Sequence, residues 1–150
     1  MKIFKIIFAA VLTLSATQAF AADLITKPSA HSVEVTIDRL AAAVEGAGAK
    51  IFARIDHAAG AAKVDMKLRP TQMLMFGNPK LGTPALQAAQ TAGLDLPLRV
   101  VAYEDANGQV FVAYHNPSEL SEDHGIPVDA AVLQKMTGAL DKLTNKAIGE

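Results

Sequence analysis

Four consecutive apolar residues, Met73, Leu74, Met75 and Phe76, run straight into Gly77, Asn78, Pro79, Lys80, Leu81, Gly82, Thr83 and Pro84. A strand that is apolar on both faces belongs in the interior of a sheet, flanked by other strands. The loop that leaves such a strand is a place where proteins display function. Thr83 stands where a helix N-cap belongs and Pro84 at the first helical position, so a helix is expected over 84–92, stopped by Gly93. Gly77 to Gly82 would then be an exposed connection between an interior strand and a helix.

The rest of the chain supplies elements to pack around this strand. Leu24 to Lys27 is a short extended candidate closed by Pro28. Ser32 then offers an N-cap, and Val33, Ile37, Leu40, Ala41 and Val44 follow at helical spacing until Gly46 and Gly48 end the pattern. Lys50 to His57 alternates as a strand, with Ile51, Ala53 and Ile55 on one face and Phe52, Arg54 and Asp56 on the other. Ala58 to Ala62 fits a short helical connection, and Arg69-Pro70-Thr71 turns the chain into the apolar strand.

Leu98 to Glu104 and Gln109 to Tyr114 flank Asp105-Ala106-Asn107-Gly108, a hairpin signal. A two-residue loop at Asn107-Gly108 and a four-residue loop over 105–108 both place Tyr103 on the face of Val110, Val112 and Tyr114. Pro117 to His124 fits one or two helical turns. From about Val128, Leu133, Met136, Leu140 and Leu143 mark a last amphipathic helix, weakened by Gly138. The expected fold is α+β: one domain, a mostly antiparallel sheet of four or five strands, helices on one face, and a C-terminal helix added last.

The start of the chain reads as an export signal. Met1-Lys2-Ile3-Phe4-Lys5 is basic, Ile6 to Leu14 is an apolar run, and Ala19-Phe20-Ala21 is a small-x-small cleavage pattern, so cleavage is expected after Ala21. The expectation is a periplasmic protein with a signal over 1–21 and a single domain over 22–150. No later stretch reaches the ~18 unbroken apolar residues of a membrane span, so no membrane role is expected once the signal is gone. The sequence has no cysteine, which excludes disulfides, thiol chemistry and covalent c-type haem. Its net charge of −1 includes Lys2 and Lys5, and becomes −3 without them. That balance argues against a basic nucleic-acid-binding face.

Several motifs together are specific. Ser32-Val33, Arg54-Ile55-Asp56-His57, Phe76-Gly77-Asn78-Pro79-Lys80 with Gly82-Thr83, Asp95-Leu96-Pro97-Leu98, Tyr103-Glu104-Asp105 with Gly108, and Tyr114 with Pro117 resemble the domain of unknown function 302 family, in the family's order. The resemblance covers a core of about 32–125, and leaves about 126–150 as an extension. It implies a two-layer α+β fold, a curved antiparallel sheet backed by helices, similar to one copy of the TATA-binding-protein-like fold. It also implies a homodimer. Tyr103 and Phe111 stand where tryptophan is more usual, and Ala85 replaces a bulkier residue. The family carries no agreed activity.

The chemistry-bearing candidates centre on the apolar strand's exit. Gly77 and Gly82 let backbone approach a ligand, Asn78 and Thr83 offer polar side chains, Lys80 brings positive charge, and open N–H groups at the next helix start would favour an anion. The same residues also serve as a turn with a solvated lysine and a capped helix, and they do not form a Walker loop. His57 beside Asp56 offers an acid/base group, but strand neighbours point to opposite faces, and a packed structural histidine fits as well. Tyr103 and Tyr114 are possible neighbours of a ligand. His31, His57, His115 and His124 have none of the spacings of a local zinc site, and the pair Met73 and Met75 is more often core filler than a copper site. No metal or cofactor is expected. No Gly-x-Ser-x-Gly elbow exists. The expected function is therefore a non-enzymatic homodimer that binds a small polar or anionic ligand; the alternative is a weak periplasmic enzyme using His57.

Overall fold

Leu74 and Phe76, alternate residues of the apolar run, are each 1% exposed against a layer of helices. They lie on β3 (Thr71–Gly77) in a computed structural model that describes residues 24–149. The predicted export signal and its cleavage point lie outside those residues. The other strands are β1 (Leu24–Ser29), β2 (Lys50–Asp56), β4 (Leu98–Glu104) and β5 (Val110–His115). Among the described residues they form one five-stranded sheet in the order β1-β5-β4-β3-β2, antiparallel throughout. β3 is thus an interior strand, hydrogen-bonded on both edges.

One face of the sheet is covered by α1 (Val33–Gly46) and α5 (Ala131–Ile148). Ser32 caps α1 by accepting from the Val35 N–H at 3.3 Å, and Val33, Ile37, Leu40 and Val44 are buried as their spacing requires. α1 carries the chain from β1 at one edge to β2 at the other. Gly48, at φ +72°, supplies the left-handed residue that turns the chain back into β2. Leu140, Leu143, Ala147 and Ile148 of α5 close the main core over Val100, Val112 and Tyr114. Leu120, Ile126, Leu133 and Met136 form a second apolar cluster with Ala85 and Ala92 at one end of the sheet.

Two one-residue irregularities correct the expected faces. A bulge at Phe52 leaves Ile51 opposite Phe76 and Ala53 opposite Met75, so the alternation reverses along β2. Arg54 consequently lies on the helix-covered side and bonds Asp38 of α1 at 2.5 Å and Gln72 at 3.0 Å. The hairpin closes through three residues, Ala106, Asn107 and Gly108, between Asp105 and Gln109, whose N–H and C=O meet at 2.9 Å. Gly108 is at φ +80°, and the Asp105 carboxylate accepts from the Asn107 and Gln109 N–H groups at 2.8 and 2.9 Å. An odd loop moves the pairing by one residue. Tyr103 therefore pairs with Phe111 and shares the open face with it, away from Val110, Val112 and Tyr114.

The strand predicted to stop at Pro28 continues to Ser29, because an edge strand tolerates a proline. Met73 and Met75, opposite Val101 and Arg99, lie half-buried on the open face rather than filling the core.

Candidate functional site

The largest departure from expectation lies at the exit of β3. α3 runs Pro79–Ala88, so the predicted loop is already helix and the cap is Asn78, not Thr83. Both Asn78-Pro79 and Thr83-Pro84 carry the cap-then-proline pattern. The earlier one prevails: the Asn78 side chain accepts from the Lys80 N–H at 3.0 Å, and its carbonyl accepts from Leu81 and Gly82 at 2.9 and 2.8 Å. Pro84 is then inside the helix, which ends one turn later at Ala88. A 3-10 turn, Gln90–Leu94, follows in place of the predicted last helical turn.

This geometry removes the anion cradle. Pro79 has no N–H, and those of Lys80, Leu81 and Gly82 are all bonded, so the start of α3 has no donor left to offer. What the residues form instead is an apolar cleft of about 290 Å³. Gly77, Asn78, Gly82 and Thr83 line it together with Phe52, Leu81, Leu86, Leu96, Pro97, Leu98 and Met136. Phe52, the bulged residue, is 53% exposed at its mouth. Lys80 lines a neighbouring hollow with Ala47, Ala49, Phe76 and Leu143 instead.

The remaining predicted residues are dispersed. Gly77 pairs with Lys50 and Gln72 with Asp56, so His57 stands at the far end of β2, about 20 Å along the strand. It opens a short helix, α2 (His57–Ala62), and is exposed rather than packed at a strand end. Asp56 caps that helix, accepting from the Ala59 N–H at 2.8 Å and from Gln72 at 3.1 Å. The expected carboxylate partner is thus committed to structure. Tyr103 stacks on Phe111 with ring centroids 5.8 Å apart. Tyr114 is 4% exposed on the opposite face, with the Lys27 ammonium 5.9 Å from its ring centre.

Sequence reasoning missed a polar cluster formed by α4 (Glu119–His124) and the segment around Asp95. His124 Nε2 lies 2.7 Å from Asp95 Oδ2, and its Nδ1 lies 3.1 Å from the Thr91 hydroxyl. Asp95 also accepts from Arg99 at 3.0 Å. The His124 hydrogen bond holds the Asp95 carboxyl below the usual carboxylate range; partial burial opposes this, and the Arg99 charge adds to it. Nearby, His115 meets Glu119 at 3.1 Å, while Glu119 Oε1 is buried without a hydrogen-bond partner. Asp95, Arg99, His115 and Glu119 border a second cavity of about 150 Å³ over Leu98, Leu120 and Leu140. His115 ends β5 and Glu119 opens α4, so no helical spacing announced that pair, and nothing local joined Thr91 to His124. Among the described residues no three His, Asp or Glu side chains converge as a metal site.

The sequence profile described as "Domain of unknown function DUF302" matches residues 25–143, from β1 into α5. The chain belongs to the DUF302 family. A crystal structure titled as an uncharacterized conserved DUF302 protein from Bacillus stearothermophilus superposes with a TM-score of 0.76. That likeness covers 85% of this chain and 99% of the other at 18% identity, and shows the shared DUF302 fold. Curated relatives from Brucella suis and Brucella melitensis are each 40% identical over 129 residues, 85% of this chain. Both bear the name fluoride-specific ion channel, and the chain spans 50% and 47% of their respective lengths. Among the described residues no helix is long and apolar enough to cross a membrane.

Proposed function

We infer that this DUF302 domain binds a small ligand without turnover, in the cleft beneath the start of α3. The observation that carries this reading is convergence: Gly77, Asn78, Gly82 and Thr83 line one concave apolar surface with Phe52, Leu86 and Pro97. A concave, mostly apolar site with a few polar groups is the usual form of a small-molecule site. The bonded N–H groups of α3 speak against an anionic head group, so the ligand in this proposal has an apolar body and a neutral polar edge facing Asn78 and Thr83.

The protein acts, in this proposal, as an exported periplasmic homodimer after cleavage behind Ala21. The export pattern of the first residues supports the address. The open sheet face, with Met73, Met75, Val101, Tyr103 and Phe111 aligned by register, supports self-association, since contiguous apolar surface marks interaction sites. Channel activity stays with the relatives that carry that name, because the likeness spans about half of their length.

Gly82→Leu tests the cleft. A Cβ at Gly82 meets nothing within 4 Å, and leucine is a better helix former than glycine, so the fold should hold. The neutral fluorophore N-phenyl-1-naphthylamine should bind the wild-type mature chain and bind the variant about tenfold more weakly, ~1.4 kcal/mol. Equal binding by both, at equal melting temperature, would sink the proposal. Native mass spectrometry of the same samples reads the cleavage site, the oligomeric state and any retained mass.

A further inference from the structure

We propose that Thr91, His124 and Asp95 form an acyl-transfer site for small neutral esters, separate from the cleft, with Thr91 as nucleophile and His124 as general base. A hydroxyl, an imidazole and a carboxylate connected in series at 3.1 and 2.7 Å match the arrangement by which a weak nucleophile is activated: base within hydrogen-bond reach, and the base oriented by a third group. Asp95 is also bridged to Arg99, which keeps it an acceptor. The ring proton of His124 therefore belongs on Nε2, donated to Asp95, and Nδ1 presents its lone pair to the Thr91 O–H. Exposure divides the roles in the same sense. The His124 side chain is 6% exposed, shielded from competing water, whereas Thr91 is open to solvent.

The surroundings select the substrate class. Asp95, Glu119 and Asp123 outnumber Arg99 around the adjoining cavity, which disfavours phosphorylated and other anionic donors. Thr91 lies in the 3-10 turn, where residues three apart stand in line. Leu94, 78% exposed, is thus on the same face of the turn as Thr91, and in this proposal offers an apolar rest for a short acyl chain. In the first step the Thr91 oxygen bonds to the ester carbonyl carbon as its proton passes to His124 Nδ1. The ester C–O bond then breaks, and the alcohol departs with that proton. Water cleaves the acyl-threonine by the same route, with its proton passing through Nδ1 to the Thr91 oxygen as a carboxylic acid is released. No oxidation or reduction is involved. Asp95 is a positioning residue, since it touches only the base and its guanidinium partner.

The test uses the full mature chain and p-nitrophenyl acetate, whose good leaving group asks little electrophilic help from the site. Peptide mapping should place an acetyl group on Thr91, with Thr91→Ser still labelled and Thr91→Ala unlabelled at unchanged circular dichroism. His124→Gln should slow acylation by about 10²- to 10⁴-fold, and Asp95→Asn should lower kcat with KM unchanged. If His124→Gln fails to fold, the two variants at exposed Thr91 still decide the matter. Acetyl groups confined to lysines, or p-nitrophenol release by Thr91→Ala at the wild-type rate, would overturn the proposal and leave the three side chains as a pin between α4 and the 3-10 turn.

Discussion

Replacing Phe76 by alanine tests the placement of β3 at the centre of the fold. Phe76 is 1% exposed, sits opposite Ile51 on one neighbouring strand and Leu98 on the other, and belongs to the cluster that includes Leu40, Val44 and Leu143. Removing a buried phenyl ring forfeits its transfer free energy and leaves a void that a three-strand ladder closes poorly, at a cost of about 3–5 kcal/mol. For a domain of this size each kcal/mol lowers the melting temperature by roughly 3–6 °C, so a fall of about 9–30 °C is expected. Urea denaturation followed by far-ultraviolet circular dichroism measures the loss directly. Met75→Ala is the internal control: one residue earlier, on the open face and half-buried, it should cost about a third as much within one protomer. Phe76→Ala costing less than about 1 kcal/mol, or costing no more than Met75→Ala, would refute both the interior strand and its face assignment.

Two further perturbations probe the layers around that strand. Lys27 of β1 reaches Asp141, Thr144 and Asn145 of α5 at 2.7, 3.0 and 2.5 Å with its side chain 17% exposed, so Lys27→Ala should cost about 2 kcal/mol in urea denaturation; an unchanged midpoint would mean the staple is not formed in solution. Asp95 has a folded-state pKa below its unfolded value, so its contribution is present at neutral pH and is lost as pH falls below about 4, through the depressed value; the melting-temperature gap between wild type and Asp95→Asn should therefore narrow on acidification from pH 7 to about pH 3, and a gap that widens would contradict the carboxylate's role.

The elements that were legible in the sequence are those whose signals are local. Ser32 followed by Val33, Ile37, Leu40 and Val44 specifies a capped helix with one buried stripe, and the structure has it. The apolar run from Met73, the hairpin at Asn107-Gly108 and the stripe from Leu133 to Leu143 likewise became β3, the β4–β5 connection and α5. Parity was not legible. Each of the two one-residue irregularities, Phe52 in β2 and the three-residue hairpin loop, reverses every face assignment beyond it. Tyr103 and Arg54 changed sides for that reason, and the grouping of Tyr103 with Tyr114 dissolved with them. The site at β3's exit was half legible: residue choice located the cleft, but two competing cap-then-proline patterns made a helix start look like an open loop.

The bulge that defeats the alternation also builds the cleft. With regular pairing, residue 52 would stand opposite a single β3 residue within the ladder. As the extra residue between Ile51 and Ala53, Phe52 reaches the exit of β3, where its ring lies 3.6 Å from the position a Gly77 Cβ would take, with Pro97 at 3.5 Å on the other side. Those are ordinary contact distances, so Gly77 is not forced by lack of space; its bareness widens the floor between an aromatic ring and a proline. The open face follows from the same register. Phe52, Met75 and Val101 lie along one side of the sheet, opposite the side on which α1 and α5 bury Phe76 and Val112. Deleting Phe52 would remove the bulge yet leave Ala53 opposite Met75 and Arg54 opposite Leu74, beside Asp38, so the cleft wall is lost while the sheet parity stays, and fluorophore binding is expected to fail in a fold that keeps the Arg54–Asp38 pair.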